Sequence, residues 1–596
     1  MKQPKTTVFA RQAICLLLCL CLVLCCTACA KTEYAAYELF PNEYLTAEDG
    51  SVYTPDGSTH QLTQEDIQEM NGGNAYMVFG NEGYLSFLSG KYYEGKISDH
   101  EDAVASIQGI ADLLGLGAGC EFFAQYGETD DDGYTYYTFN QRYGDATVQF
   151  ATLRVVVDPQ GYAAGLACSF TPNIGIAEIG NAITPEQAVE VLRSIFTERG
   201  VELTYYTDYT AKVAVSYNNV NYNCYAVYTN NPDMSQSFDM PYYEHFVTYS
   251  GEVLYNLPVA SLSTDNFDTY KASEYFEGLQ GMTFTTDLLL YDGSAMHVEL
   301  PIAYNPADGL YYLADLERKI MVADYYAFEY QYEMLQFITS TDGKHWDNNQ
   351  LIAYANYIKA YDFYNAHGIS SIDDFGVPIL VCVNYCDQNK VPQDNCCHFG
   401  INKGWACFAA STDGYNHSEG LDIIGHEYTH GVTRYSMGGI YYINETGAIN
   451  EAYSDIMGNI MEMLAGYTDD EHWLIGEKRG EVWRSMSSPH DYNQPESILD
   501  PYYWPPTDSP DPTTNDNGGV HINSSLLSSI AYKLWDSGMP LEQEAALWVT
   551  SIELITPLSG YKEVHGALLM SVDINGFDPQ YKQLITDFFN EAALLG

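Results

Sequence analysis

GHEYTHGVT, residues 425–433, sets two histidines four residues apart around a glutamate in a helix-compatible run. With 14 His in 596 residues, such a pair arises by chance in about a third of chains, and requiring Glu at the second position lowers that to about a few per cent. On a helix, His426 and His430 stand one turn apart on one face, where two neutral imidazoles can bind one tetrahedral zinc. Glu427 then lies beside the metal without binding it. The plainer alternative is a surface helix with two satisfied imidazoles, and the rest of the chain must separate the two.

GAINEAYSD, residues 447–455, places Glu451 and Asp455 one turn apart on a second apolar helix, with Asn450 beside them. An acidic pair on a helix is usually a solvated face, but these sit among Ala448, Ile449, Ala452 and Ile456. Buried carboxylates need a cation or a donor. Glu451 as third zinc ligand, with Asp455 accepting the second N–H of His426, meets that need. Three protein ligands leave the fourth position to water, which is the catalytic arrangement. Zinc brings the water pKa toward about 7, and Glu427 can take its proton during attack on a carbonyl. The oxyanion then needs donors. NDNGGVHINSS, residues 515–525, supplies His521, with Asp516 placed to hold its ring in the donor tautomer.

HEYTH, GAINEAYSD and DNGGVHINS, in that order, resemble the thermolysin-like (neutral protease) zinc metalloendopeptidases, over roughly residues 290–596. The resemblance implies an α+β catalytic domain with a β-rich half, 286–420, and a mainly helical half, 421–596, with the zinc cleft between them. It implies His426, His430 and Glu451 as zinc ligands, Glu427 as base, and His521 with Tyr442, beside Tyr441, as oxyanion donors. Arg484 in RSMSSP takes the role of gripping the substrate backbone. Asn395 in DNCCHFG pairs with substrate from an edge strand, although Cys396 and Cys397 replace the family's small and aromatic residues. Asp422, Glu462 and Glu477 fall at calcium-ligand positions, while His472 and Leu474 replace two others, so one calcium is expected rather than two.

Composition sets the frame. A hydrophobic fraction of 46% and an aromatic fraction of 14% describe a largely packed chain. A net charge of -55, from 25 basic against 80 acidic residues, excludes nucleic acid as a partner. It also repels anionic lipid, so membrane contact is expected only through an anchor. Residues 1–30 have the plan of an export signal: Lys2, Lys5 and Arg11, an apolar core at 14–24, then CCTACA. It is read either as the lipoprotein type, with Cys29 lipidated, or as a small-x-small peptidase site. Both place the protein outside the cell, secreted or attached to the outer face of a bacterial membrane. Eight Cys remain beyond the leader, five of them within residues 382–407. Disulfides are the default in an exported chain, but five cannot all pair among themselves.

Residues 31–175 read as strands and hairpins with one helical insert near 101–115. In 176–260, TPEQAVEVLRSIFTER (184–199) and the hairpin at 246–257 resemble the PepSY modules of exported protease propeptides. Residues 261–285 are the expected linker and processing region. The N-terminal half is thus expected to be the zymogen's propeptide, a folding aid and intramolecular inhibitor, and the partners of the catalytic half are protein or peptide substrates. Two functions compete: an exported zinc metalloendopeptidase, and a catalytically inactive cell-surface binding relative. A drifted scaffold would lose a ligand, the base or a donor, and this chain keeps them all.

Overall fold

Alternating apolar residues between 120 and 258 carry the period of a sheet, and in the computed structural model they form one. The structure describes residues 52–53, 59–80, 82–117, 120–176, 181–201, 203–217, 220–230, 242–258, 273–290, 293–325, 335–374, 376–384, 396–399, 404–408, 417–437, 439, 441–466, 473–477, 482–511 and 514–596. The expected export segment with Cys29, residues 261–272 of the expected linker, and Asn395 lie outside them, while residues 280–285 of that expected linker belong to the strand Gln280–Leu289. Among the described residues no helix is long and apolar enough to cross a membrane.

Strands Glu121–Thr129, Thr135–Tyr143 and Ala146–Val157 run antiparallel. A parallel step, Thr147 opposite Val213 and Val148 opposite Ala214, joins the last of them to Thr204–Tyr217. Val220–Asn230, Tyr242–Thr248 and Val253–Pro258 continue the sheet. Regions 31–175 and 176–260 therefore share one 11-stranded sheet. The helix Pro185–Glu198 starts at a capping box of Thr184 with Gln187 and buries Ala188, Val189 and Leu192 against Tyr225, Val227 and Val247. A second capped helix, Gln64–Met70, buries only Ile67, so its periodicity is too weak to read from sequence. Cys120, Cys168, Cys224 and Cys382 are buried free thiols, so the disulfide default does not hold for these four.

The β-rich half of the second part has an antiparallel sheet ordered Gln280–Leu289, Ala295–Asn305, Leu310–Tyr312, Thr339–Ser340. A mixed sheet follows, from Ala314–Asp315 through Ile320–Tyr325, Ile379–Val383 and Gly404–Phe408 to the edge strand Cys396–Phe399. Helix Asn348–Ala366 buries every residue from Leu351 to Tyr357, so this stretch is covered on all sides by the core.

Two long helices then position the site, Leu421–Met437 and Asn444–Leu464. They cross at glycines: a Cβ on Gly425 would stand 2.8 Å from the Gly458 Cα. Only glycine on both sides allows this approach, and it lays the histidines of one helix against the carboxylates of the other.

The N-terminal sheet docks on the helical half. Val78, Phe87, Tyr136, Val156 and Ala167 belong to the same apolar core as the C-terminal helices. Ser86 Oγ donates to Glu563 Oε1 at 2.6 Å, and Tyr76 Oη lies 2.8 Å from His565 Nδ1. Carboxylates also meet in this interface. Burial, then the charges of Glu553 and Asp374, push Glu128 up to about 8, with Arg154 opposing. Burial, with Glu553, Asp373 and Asp131, takes Asp374 up to about 6. In the undocked N-terminal half Glu128 loses the charges of Glu553 and Asp374 and returns to about 4. Its raised value means that docking favours the protonated form; this contribution is complete below about pH 4 and is lost as pH rises through about 8. Hydrogen exchange in 121–143 and 541–553 is therefore expected to speed up more between pH 5 and 9 than intrinsic exchange does. Glu128→Gln should flatten that excess, and an unchanged excess would remove Glu128 from the effect.

Candidate metal centre

His426 and His430 each use one ring nitrogen to hold position. His426 Nδ1 meets Asp455 Oδ1 at 2.9 Å. His430 Nδ1 meets Asn450 Oδ1 at 2.7 Å and Ser454 Oγ at 3.0 Å. The Asn450 amide cannot be turned around without loss, because its Nδ2 donates to Thr433 Oγ1 at 2.7 Å. Both acceptors fix the proton on Nδ1 and leave Nε2 as the free atom.

Those two Nε2 atoms stand 2.9 Å apart and each lies 3.4 Å from an oxygen of Glu451. Lone pairs approach that closely only with a cation between them, a shared proton or a metal. His426 is pushed up, the cost of burial being outweighed by Asp455 and Glu451, in keeping with such a proton. Burial takes His430 down to about 4, so it is neutral. Glu451 is fully buried, and its Oε2 has no hydrogen-bond partner. Burial would raise its carboxyl, but His521, His430, His426 and Arg484 outweigh that and hold it well below the usual range. The three donor atoms lie within 4.8 Å of one another. Two imidazoles and a carboxylate of this kind fit zinc.

Glu427 is buried on the same helix; burial pushes its carboxyl up to about 7, while His426, Arg484 and His521 oppose. Tyr442 donates through its hydroxyl to Glu451 Oε1 and stands 3.4 Å from His521 Nε2. Asp516 takes both the His521 backbone N–H at 2.8 Å and its Nδ1 at 2.5 Å. That double grip explains the DNGG sequence: Asp516, Asn517, Gly518 and Gly519 all have positive φ, 50°, 50°, 89° and 77°. A run of left-handed residues curls the chain back and needs its glycines. Burial lowers His521, but Glu451 and Asp516 carry it up to about 10. Its side chain is 42% exposed, so solvent screens part of that effect.

Arg484 binds Asp455 with two bonds, Nε to Oδ2 at 2.8 Å and Nη2 to Oδ1 at 2.6 Å. It therefore stands behind His426 through Asp455, with its side chain 16% exposed. Asn395 lies outside the described residues, but the neighbouring edge strand Cys396–Phe399 packs against the Leu421–Met437 helix. Asp422, Glu462 and Glu477 bring carboxylate oxygens within 4.8 Å of one another. Asp422 Oδ2 accepts from the Gly476 N–H at 2.6 Å, while its buried Oδ1 has no partner. Sequence reasoning left Ser454 and the role of Asn450 unread. Their spacing of four, one residue out of step with Glu451 and Asp455, was the available signal.

Residues 293–434 match the family model described as thermolysin metallopeptidase, catalytic domain, and residues 438–594 the one described as its alpha-helical domain. The chain is 30% identical over 254 residues to a thermolysin of Alicyclobacillus acidocaldarius, a match covering 39% of this chain and 43% of that protein. It is 29% identical over 268 residues to a gelatinase of Enterococcus faecalis, covering 42% and 47%. The chain thus spans less than half the length of these relatives. Among solved structures, the precursor of protealysin, a metalloproteinase from Serratia proteamaculans, is 22% identical with a TM-score of 0.39, covering 46% of this chain and 88% of that one. With both family models matched in order across half of the sequence, and with the histidine–carboxylate cluster enclosed by them, the chain belongs to the thermolysin-like family of metallopeptidases.

Proposed function

We propose that this protein is an exported zinc metalloendopeptidase that hydrolyses peptide bonds in protein or peptide substrates. The observation that carries this reading is the facing pair of Nε2 atoms beside a buried Glu451 oxygen that accepts no hydrogen bond and has only imidazoles, at 3.4 and 3.5 Å, in ion-pair range. His426, His430 and Glu451 would hold the zinc, with Asp455 and Asn450 fixing the rings. Bound zinc would act as a Lewis acid and lower the pKa of water in the site. Glu427 accepts the proton of the attacking water and returns it to the leaving amine. His521 and Tyr442 donate to the oxygen that gains charge as the carbonyl carbon becomes tetrahedral. Asp516 keeps the His521 Nε2 proton pointing outward, Arg484 steadies Asp455 and offers donors to the substrate backbone, and Asn395 pairs with an extended substrate.

Asp422, Glu462 and Glu477 are proposed to take one calcium, since hard oxygen donors converge there and Asp422 Oδ1 is buried without a partner. Chelating calcium under conditions that leave zinc in place should lower the melting temperature by several degrees; an unchanged value removes this site. Residues 1–30 direct export, with a lipid anchor at Cys29 or release, and the N-terminal half assists folding of the catalytic half. The enzyme reading is tested on the purified full chain by metal analysis together with cleavage of an unfolded protein substrate. One zinc per chain with chelator-sensitive cleavage is expected. A folded, zinc-loaded chain without cleavage would instead point to the inactive binding relative.

A further inference from the structure

Of the five cysteines within residues 382–407, backbone register puts three in one row. Cys397 of the edge strand Cys396–Phe399 stands opposite Cys407 of its antiparallel neighbour Gly404–Phe408. Cys407 in turn stands opposite Cys382 of the parallel strand beyond, Ile379–Val383. Opposed residues share one face of a sheet, and successive residues alternate between its faces. Cys382 marks which face this is. With Leu380 it joins Ala303, Ala314, Met321 and Ala323, whereas Val381 and Val383 join the core that holds Ile423 and Ile424 of the His426 helix. The row therefore lies on the sheet face turned away from the metal centre, and Cys396, opposite Phe408, belongs to the other face.

These positions select one pair. Opposed residues of an antiparallel pair have Cα atoms about 4.5–5.5 Å apart, inside the span of about 4.4–6.8 Å that a disulfide bridges. Cys382 is a buried free thiol, so it is not the partner of Cys407. Cys396 is set apart by its face. Among the described cysteines Cys397 alone remains, directly opposite. The strand it belongs to is four residues long and ends the six-stranded sheet, paired on one side only. So short an edge specifies its register weakly, and a slip of one residue would carry every residue to the other face. The same strand packs against the helix Leu421–Met437, and Asn395 immediately precedes it.

We propose that Cys397 and Cys407 form a cross-strand disulfide that pins the register of this edge strand. On the reading of the site as a zinc peptidase, the bond thereby sets the position of the backbone that pairs with substrate at Asn395. It forms outside the cell by exchange with an oxidised protein dithiol or a small-molecule disulfide. The Cys397 thiolate attacks one sulfur of that disulfide and releases the other as a thiolate. The Cys407 thiolate then attacks the Cys397 sulfur, closing the intramolecular bond and releasing the second thiolate. The two cysteine protons end on the two released thiolates, and the two electrons that the cysteines lose are gained by the external disulfide.

The test uses the full chain exported from bacterial cells. Free thiols are alkylated in denaturant without reduction, the chain is digested, and linked peptides are sequenced. One link should join the peptide of Cys396 and Cys397 to that of Cys407, with Cys382 alkylated. Cys396→Ser should keep the link and Cys397→Ser should lose it, which separates the adjacent pair. A link lost in Cys396→Ser, a bond from Cys382 or Cys386 to Cys407, or a free Cys407 would each overturn the proposal and leave the peptidase reading intact. The double variant Cys397→Ser with Cys407→Ser should raise KM by about three- to tenfold, the scale of one weakened backbone hydrogen bond. Its kcat should stay within about twofold, because strand pairing holds bound substrate and transition state alike. Reducing wild type with a phosphine that leaves zinc in place should reproduce that KM and leave the double variant unchanged. Should the double variant fail to fold, reduction of wild type decides. A mapped link whose loss leaves KM unaltered would overturn the register role. A zinc-loaded wild type that cleaves nothing would sink the peptidase reading and the role in substrate pairing, while the mapped link would still establish or refute the disulfide.

Discussion

Glu427→Gln is expected to retain one zinc per chain and to lose turnover by about 10²–10⁴, the usual contribution of a positioned general base. The amide has the shape of the carboxylate but no site for a proton, so it can hold the water without activating it. Zinc should be unaffected, because Glu427 is not among the three converging donors. Stability should change little, because the amide fills the same buried space as the carboxylate. KM should change little, since proton transfer is made in the transition state and not in the bound substrate. If cleavage near 258–290 is the enzyme's own work, the variant should also stay near full length. The combination of metal analysis, melting temperature and kcat checks this, and a variant with native turnover would place the base elsewhere.

The site was legible because its residues lie in three short motifs at helical spacing. HEYTH and NEAYSD each show four-residue spacings, and buried carboxylates among Ala and Ile call for partners, so the pairing of His426 with Asp455 follows from chemistry. What sequence did not carry was contact between helices. Nothing in the spacing tells that Gly425 meets Gly458, since both read as neutral or weakening residues in a helix until the crossing is seen. The partner of His430 was missed for a related reason: Asn450 and Ser454 are uncharged, and a charge-based search passes over them. The strands of residues 120–258 were legible from their period of two, but the parallel step between Val148 and Ala214 was not, because a crossover leaves no local mark. Arg154 was unreadable altogether. In a strand it resembles a solvated edge charge, and only the docked helices reveal that its partners are carbonyls some 280 and 400 positions away, at Ser436 and Glu553.

His430→Ala should abolish stoichiometric zinc and, with it, all activity. Two remaining ligands, His426 and Glu451, cannot complete a tetrahedral site, and the lost imidazole leaves Asn450 Oδ1 and Ser454 Oγ facing a hole. A metal that binds only the native state adds stability as RT ln(1 + [L]/Kd), so added zinc should raise the melting temperature of wild type and not of this variant. Asp455→Asn makes the informative contrast. It keeps all three ligands but replaces the acceptor that fixes His426 and gives up the two-bond pairing with Arg484. Loss of such a supporting partner costs about 10–100-fold in metal affinity or activity. Asp455→Asn should therefore refill when zinc is raised by that factor and recover part of its activity, whereas His430→Ala should not refill at any concentration the folded protein tolerates. Equal responses of the two variants would mean that His430 supports the metal only indirectly, and the ligand set would have to be redrawn.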